Sequence, residues 1–382
     1  TFTLQNMIPY LNGQRLLVKG SNYLPPALYL SRVGKEDYEQ EIALLKQSHQ
    51  NMVRCYQHVE KPEFYQAMDE AGILVWQDFP LPVGATFTNL TNLLQQVEAV
   101  YNLLGNHPSV AIWTISNQSG FEALVPERPS VNFRRVVQKL AQRLAELDPG
   151  RPVIPLSGQG SLREAVDTGF NYQYPDEIYR FDQYRRGAKQ RQIRFVSWFG
   201  RAALGPAEPD EKTRTRSQKQ LAETLRFYID RLRFHKYNPT GGMLFFCFRA
   251  LDPGLSWSVV NGGGQPKEGF AMVALCYRPV YVFALLPREN YRNGTLFQAP
   301  ICFSNDRIGP DQPTVLVKAR LTDPRGQLVW KEQWNVKPQP DEETRILGEV
   351  SVMLMTKGVY RLNLNWLDQD ESIDNDYQIV VG

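Results

Sequence analysis

The sequence predicts a (β/α)8 TIM barrel over residues 16–286 and an immunoglobulin-like β-sandwich over residues 287–382, with residues 1–15 as a leading strand and linker. Two features predict it. From Leu16 to Phe248, short apolar runs bounded by turn residues alternate with amphipathic stretches, the pattern of buried strands joined by helices. After Pro287 the helical period disappears, and alternating runs separated by turn signals such as Asp323-Pro324-Arg325-Gly326 replace it. A doubly wound open sheet shows the same alternation, so the choice of a barrel rests on a third feature, the order of the motifs quoted below.

The elements follow in order. Phe2-Thr3-Leu4 and Pro9-Tyr10-Leu11 close on Asn12-Gly13, a hairpin dipeptide. Leu16-Leu17-Val18-Lys19-Gly20 is the first buried strand. Tyr38, Ile42 and Leu45 mark a helix. Met52–Tyr56 is strand two, and Pro62 opens a helix that carries Phe64 and Met68 and stops at Gly72. Ile73–Phe79 is strand three. A helix over 91–104 leads through Asn106-His107-Pro108-Ser109 to the apolar run Val110–Ile115, strand four, which ends in Ser116-Asn117-Gln118. Phe133, Val136, Val137, Leu140, Leu144 and Leu147 form an amphipathic helix stopped by Asp148-Pro149-Gly150. Val153–Leu156, Gly169–Tyr172, Arg194–Ser197 and Gly242–Phe248 supply strands five to eight, with a helix marked by Leu221, Leu225, Tyr228, Ile229 and Leu232 before the last. The basic run Lys212–Arg216 reads as a solvated linker.

Composition narrows the function classes. Lys+Arg number 43 against 40 Asp+Glu, a balance that argues against nucleic acid as the main partner. There is no run of 18 apolar residues, so no membrane-spanning helix is expected. Cys55, Cys247, Cys276 and Cys302 lack C-x-x-C spacing and read as buried free thiols. The histidines His49, His58, His107 and His235 show no metal spacing, and Asn261-Gly262-Gly263-Gly264 lacks the ending of a phosphate loop. No metal and no cofactor are expected. The chain begins at Thr1 with no signal-like segment, which leaves the compartment open and makes a trimmed N-terminus the expectation.

Four segments carry a resemblance. Leu17–Pro26 reads Leu-Val-Lys-Gly-Ser-Asn-Tyr-Leu-Pro-Pro, and Phe64–Phe79 includes Asp69-Glu70, Gly72 and Ile73-Leu74-Val75-Trp76-Gln77-Asp78-Phe79. Asn106–Gln118 and Arg194-Phe195-Val196-Ser197-Trp198-Phe199-Gly200 follow in the same order. Together they resemble glycoside hydrolase family 2, its β-mannosidase- and β-galactosidase-like members especially. That resemblance implies the barrel, the sandwich after it, and a retaining glycosidase chemistry toward β-linked glycosides with no cofactor. The family also carries two domains ahead of the barrel, which this chain has no room for, so either it is part of a longer protein or they are absent.

The resemblance places the chemistry at two carboxylates, and both positions depart from it. The acid/base glutamate is expected directly after Asn117, where the chain has Gln118, an amide that cannot protonate a leaving group. The nucleophile is expected between Ser197 and Phe199, where the chain has Trp198. After strand eight the frame survives at Gly242, Pro253, Gly254, Ser256, Trp257 and Ser258, while Phe246 and Arg249-Ala250 stand where a tryptophan and an Asn-Asp pair are expected. The implied sugar contacts are Arg54, Asn117, Trp198, Phe246 and Trp257. Two readings stay open: a non-catalytic homologue that binds carbohydrate or serves as a scaffold, and an active hydrolase using relocated carboxylates among Asp78, Glu122, Asp176 and Glu177.

Overall fold

The computed structural model describes residues 1–27, 29–81, 87–117, 131–157, 171–172, 194–202, 210–249, 257–287 and 290–382. It divides into two compact units, one of residues 1–228 and 239–274, the other of residues 229–238 and 275–382.

The first unit opens with a three-stranded antiparallel sheet, β1 (Phe2–Gln5), β2 (Ile8–Leu11) and β3 (Gln14–Arg15). Asn12 and Gly13, at φ 51° and 81°, make the expected tight turn between β2 and β3. A second tight turn uses Asn6 and Met7, also at positive φ, where the sequence carries no glycine to announce it.

The parallel strands of this unit are β4 (Val18–Tyr23), β5 (Met52–Cys55), β6 (Leu74–Asp78), β7 (Val110–Asn117) and β8 (Val153–Ser157), followed by β9 (Asn171–Tyr172), β10 (Phe195–Phe199), β11 (Arg201–Ala202) and β12 (Gly242–Phe245). Among the described residues, seven of them form one sheet in the order β10-β12-β4-β5-β6-β7-β8. The sheet is curled: its two edges, β8 and β10, come together where Ser157 Oγ and Ser197 Oγ lie 3.5 Å apart. β9, the sixth strand in chain order, pairs with β11 rather than within the seven-stranded sheet.

Helices α1 (Lys35–Gln47), α2 (Pro62–Ala71), α3 (Leu90–Leu104) and α4 (Val131–Leu147) connect the early strands, and α5 (Glu211–Phe234) and α6 (Glu268–Cys276) flank β12. Proline at the first position of α2 and Gly72 at φ 69° just past its end bracket that helix as the sequence predicts. The basic run Lys212–Arg216 is a correction: it lies in the first turns of α5, not in a linker. Asp210 caps that helix, its Oδ1 accepting from the Thr213 amide at 2.7 Å, and Lys212, Arg214 and Arg216 are exposed on it.

Val18, Met52, Leu74, Trp76, Ile112, Ile154, Phe195 and Leu244 fill the interior of the sheet, with Phe2 and Met7 of the leading strands packed on them. Near-continuous burial along β4 to β7 is the mark of parallel strands covered on both faces. Strand limits differ from the sequence reading in two places that matter. β4 runs on to Tyr23, which makes Asn22 part of the barrel wall. β12 stops at Phe245, which puts Phe246 just past a strand end. Among the described residues no helix is long and apolar enough to cross a membrane.

The second unit contains two sheets. β13 (Val280–Ala284), β15 (Thr295–Asn305) and β18 (Arg345–Leu354) form one, all antiparallel. β14 (Asn290–Tyr291), β20 (Glu371–Val381), β19 (Gly358–Asp368), β16 (Val315–Thr322) and β17 (Leu328–Val336) form the other, antiparallel except for β14. The sheets face each other: Tyr281 packs its ring edge-on to Trp366, and Asn375 Nδ2 donates to the Val282 carbonyl at 3.0 Å. Alternating burial along β16, β19 and β20 follows the period of two that strands with one covered face require.

Candidate active site at the barrel mouth

In parallel barrels the working side chains stand at the carboxyl ends of the strands. Here β6 ends with Asp78 and β7 with Asn117, while Arg54 and Trp198 are the next-to-last residues of β5 and β10. Arg54 and Asp78 are completely buried, and Arg54 Nε donates to both carboxylate oxygens at 2.9 and 3.1 Å. The guanidinium lies 4.8 Å over the Trp76 ring, whose Nε1 donates to Thr114 Oγ1. Neither Nη1 nor Nη2 of Arg54 has a hydrogen-bond partner among the described residues. Asn117 is buried, and its carbonyl accepts from Gln57 Nε2 at 3.1 Å.

The aromatic residues converge. Trp198, Phe246 and Cys247 form a buried cluster, with Leu24, Tyr56 and Trp257 packed against it. Ring centroids of Trp198 and Phe246 are 5.6 Å apart, those of Phe246 and Tyr56 5.4 Å, and those of Phe246 and Trp257 6.2 Å. These are tilted and edge-on contacts of the kind that stabilise aromatic clusters beyond simple burial. Trp198 is 3 % exposed, and its Nε1 has no hydrogen-bond partner among the described residues. Asn22 fixes the wall beneath: its Nδ2 donates to the carbonyls of Ser197 and Phe245 at 2.9 and 3.2 Å.

Of the residues expected from the sequence, Trp198, Phe246 and Trp257 are brought into one cluster, and Arg54 is joined to Asp78. Gln118, Glu122, Asp176 and Glu177 lie outside the described residues. Leu24, Tyr56, Cys247 and Asn22 were not foreseen as parts of the mouth. The signal for Asn22 was present in the Gly20–Pro26 motif, and Tyr56 stands two positions past Arg54 at the same strand end.

A second polar group joins α1, β6 and the connection from β5 to α2. Tyr38 Oη donates to Glu60 Oε2 at 2.7 Å, and His58 Nε2 lies 2.9 Å from Glu60 Oε1. Tyr65 Oη donates to Gln77 Oε1 at 2.7 Å. Glu41 on α1 accepts from Arg249 Nη1 at 2.5 Å. Burial pushes the Tyr23 phenol and the Cys55 thiol well above their ordinary values, so both stay neutral, and it pushes the Glu41 carboxyl up to about 7.

Comparison with known proteins places this architecture. The family model "Glycosyl hydrolases family 2, TIM barrel domain" matches residues 2–185. Over that segment the chain is similar to the barrel domain of glycoside hydrolase family 2. Beta-mannosidase B of Aspergillus clavatus is 36% identical over 114 residues, 28% of this chain and 13% of that protein. Beta-mannosidase A of Emericella nidulans is 35% identical over 117 residues, 28% of this chain and 12% of that protein. The matched stretch is thus a small part of these curated relatives. Among solved structures, a beta-D-mannosidase from Dictyoglomus thermophilum superposes with a TM-score of 0.76 at 21% identity, over 98% of this chain and 51% of that one. An exo-chitosanase from Amycolatopsis orientalis gives the same TM-score at 14% identity, over 100% of this chain and 51% of that one. At these identities the two structures report on fold, and the chain spans about half their length.

Proposed function

We propose that this chain is a family 2 glycoside hydrolase homologue that binds a β-linked carbohydrate at its barrel mouth without hydrolysing it, and that its second unit is an immunoglobulin-like β-sandwich. One observation carries the reading of the mouth. Trp198 sits where the family resemblance puts the nucleophile, and it is built into an aromatic cluster with Phe246, Tyr56 and Trp257. A retaining glycosidase needs two carboxyl groups about 5–5.5 Å apart, one of them free to attack. Among the described residues of the strand ends, the carboxylate is Asp78, which is sealed from solvent and held by Arg54. Gln118 removes the expected proton donor, a loss worth roughly 10²- to 10⁴-fold by itself. Loss of the nucleophile closes the covalent route as well. Two facing antiparallel sheets support the sandwich.

Aromatic faces at such a mouth suit the apolar faces of pyranose rings, and Asn117 offers a hydrogen bond to a sugar hydroxyl. The test is titration of the full chain with β-mannosides, β-glucosides, β-galactosides and β-glucuronides, followed by NMR of both partners. Binding of at least one class is expected, with the sugar intact afterwards. Asn117→Ala is expected to weaken it about five-fold, the loss of one hydrogen bond. Trp257→Ala is expected to weaken it about ten-fold through lost ring contact. Binding unchanged in both variants would overturn the assignment of the mouth.

A further inference from the structure

We infer that Glu41 and Arg249 form a proton-sensitive clamp that holds residues 257–261 in place and, through them, seats Trp257 in the aromatic cluster at the barrel mouth. The inference stands apart from the carbohydrate reading, because it concerns how the mouth is held rather than what enters it.

The geometry is that of a clamp. Arg249 follows β12 by four residues and is 8 % exposed. Its Nη1 donates to Glu41 Oε1 on α1 at 2.5 Å, and its Nε donates to the Asn261 carbonyl at 3.3 Å. Its backbone forms a bridge with Val260. Gly264, at φ 80°, turns the chain against the guanidinium so closely that an added Cβ would come within 2.7 Å of Nη2. The amides of Val259 and Val260 donate to the carbonyls of Cys247 and Phe248 at 3.2 and 2.9 Å. One side chain therefore ties α1 to the segment that follows Trp257, and the backbone of that segment is tied to the residues that follow Phe246.

Glu41 is 1 % exposed and has a single charged partner for its two oxygens, Oε2 having no hydrogen-bond partner among the described residues. The charged and titratable groups that act on it are Asp37 on α1, Tyr23 on β4, Glu60 between β5 and α2, and Arg249. Burial is the main cause that raises its carboxyl to about 7, Glu60 and Asp37 add to it, and Arg249 opposes it. Protonation removes the counter-charge of a guanidinium that is still largely buried, which is costly. Release of Arg249 removes the one group that lowers the Glu41 value, so the released form binds the proton more tightly than the clamped form. By linkage, acid favours release and base favours the clamp. The shift sets in as pH falls through the higher value of the released form and is complete below about 7.

The experiment is hydrogen exchange of the full chain between pH 6 and pH 9, read at the Val259 and Val260 amides and corrected for intrinsic exchange, with tryptophan fluorescence in parallel. Protection is expected to fall about ten-fold on acidification, the effect of one pK unit of coupling. Glu41→Gln should show the low protection at every pH. Glu60→Gln removes a neighbouring carboxylate that raises the Glu41 value, so it should move the transition to lower pH without abolishing it. Protection independent of pH in the unmodified chain would overturn the clamp. So would a pH dependence that survives Glu41→Gln, since it would assign the titration to another group.

Discussion

Arg54 donates through Nε to Asp78 while both Nη groups have no hydrogen-bond partner among the described residues, and neither side chain touches solvent. The described contacts of the Arg54 side chain are the Asp78 carboxylate and the Trp76 ring. Removing one member of such a pair strands the other charge in the interior. Arg54→Ala is therefore expected to destabilise the first unit by about 3–5 kcal/mol, read from a shift in urea midpoint. A change below about 1 kcal/mol would mean that Asp78 finds other compensation. The sequence made the pairing foreseeable, because both residues lie at the carboxyl ends of neighbouring strands. It gave no hint that both side chains are fully buried.

The same contrast runs through the helices and strands. Two motifs that the resemblance sets apart, Asp69 on α2 and Asn106–Ser109 before β7, meet in the structure. His107 Nδ1 lies 2.6 Å from Asp69 Oδ2, and the Ser109 amide donates to Asp69 Oδ1. This connection lies near the start of β7, at the opposite end of that strand from Asn117. Gly20 in β4 is a second example: a Cβ there would fall 1.9 Å from the Met52 carbonyl oxygen on β5. Gly20→Ala is expected to cost more than about 3 kcal/mol, since strand backbone cannot give way as a side-chain tip can. Equilibrium unfolding checks it, and a variant as stable as the parent would show that β4 can move. Element order was legible because apolar period and punctuation survive in sequence. Glu41 was not singled out, although it falls three residues after Tyr38 and four before Leu45, on the buried stripe of α1. A charge on an apolar stripe was the signal, and its partner Arg249 is 208 residues away in sequence.

For the chain as a whole, family and barrel were legible because the motifs occur in barrel order, and the family model covers the segments through residue 185. The mouth was less legible. Its walls are assembled from strand ends far apart in sequence, so Leu24, Tyr56, Trp198, Phe246 and Trp257 become neighbours only on folding. We propose that Gln118 and Trp198, standing where the resemblance expects two glutamates, leave this barrel without hydrolysis. This is tested most directly by product release from chromogenic β-mannosides, β-galactosides, β-glucosides and β-glucuronides, using the full chain freed of contaminating glycosidase. Release no faster than in buffer is the predicted result for every substrate. Turnover above background that falls on changing Asp78, Glu122, Asp176 or Glu177 to the corresponding amide would contradict it and assign the chemistry to relocated carboxylates.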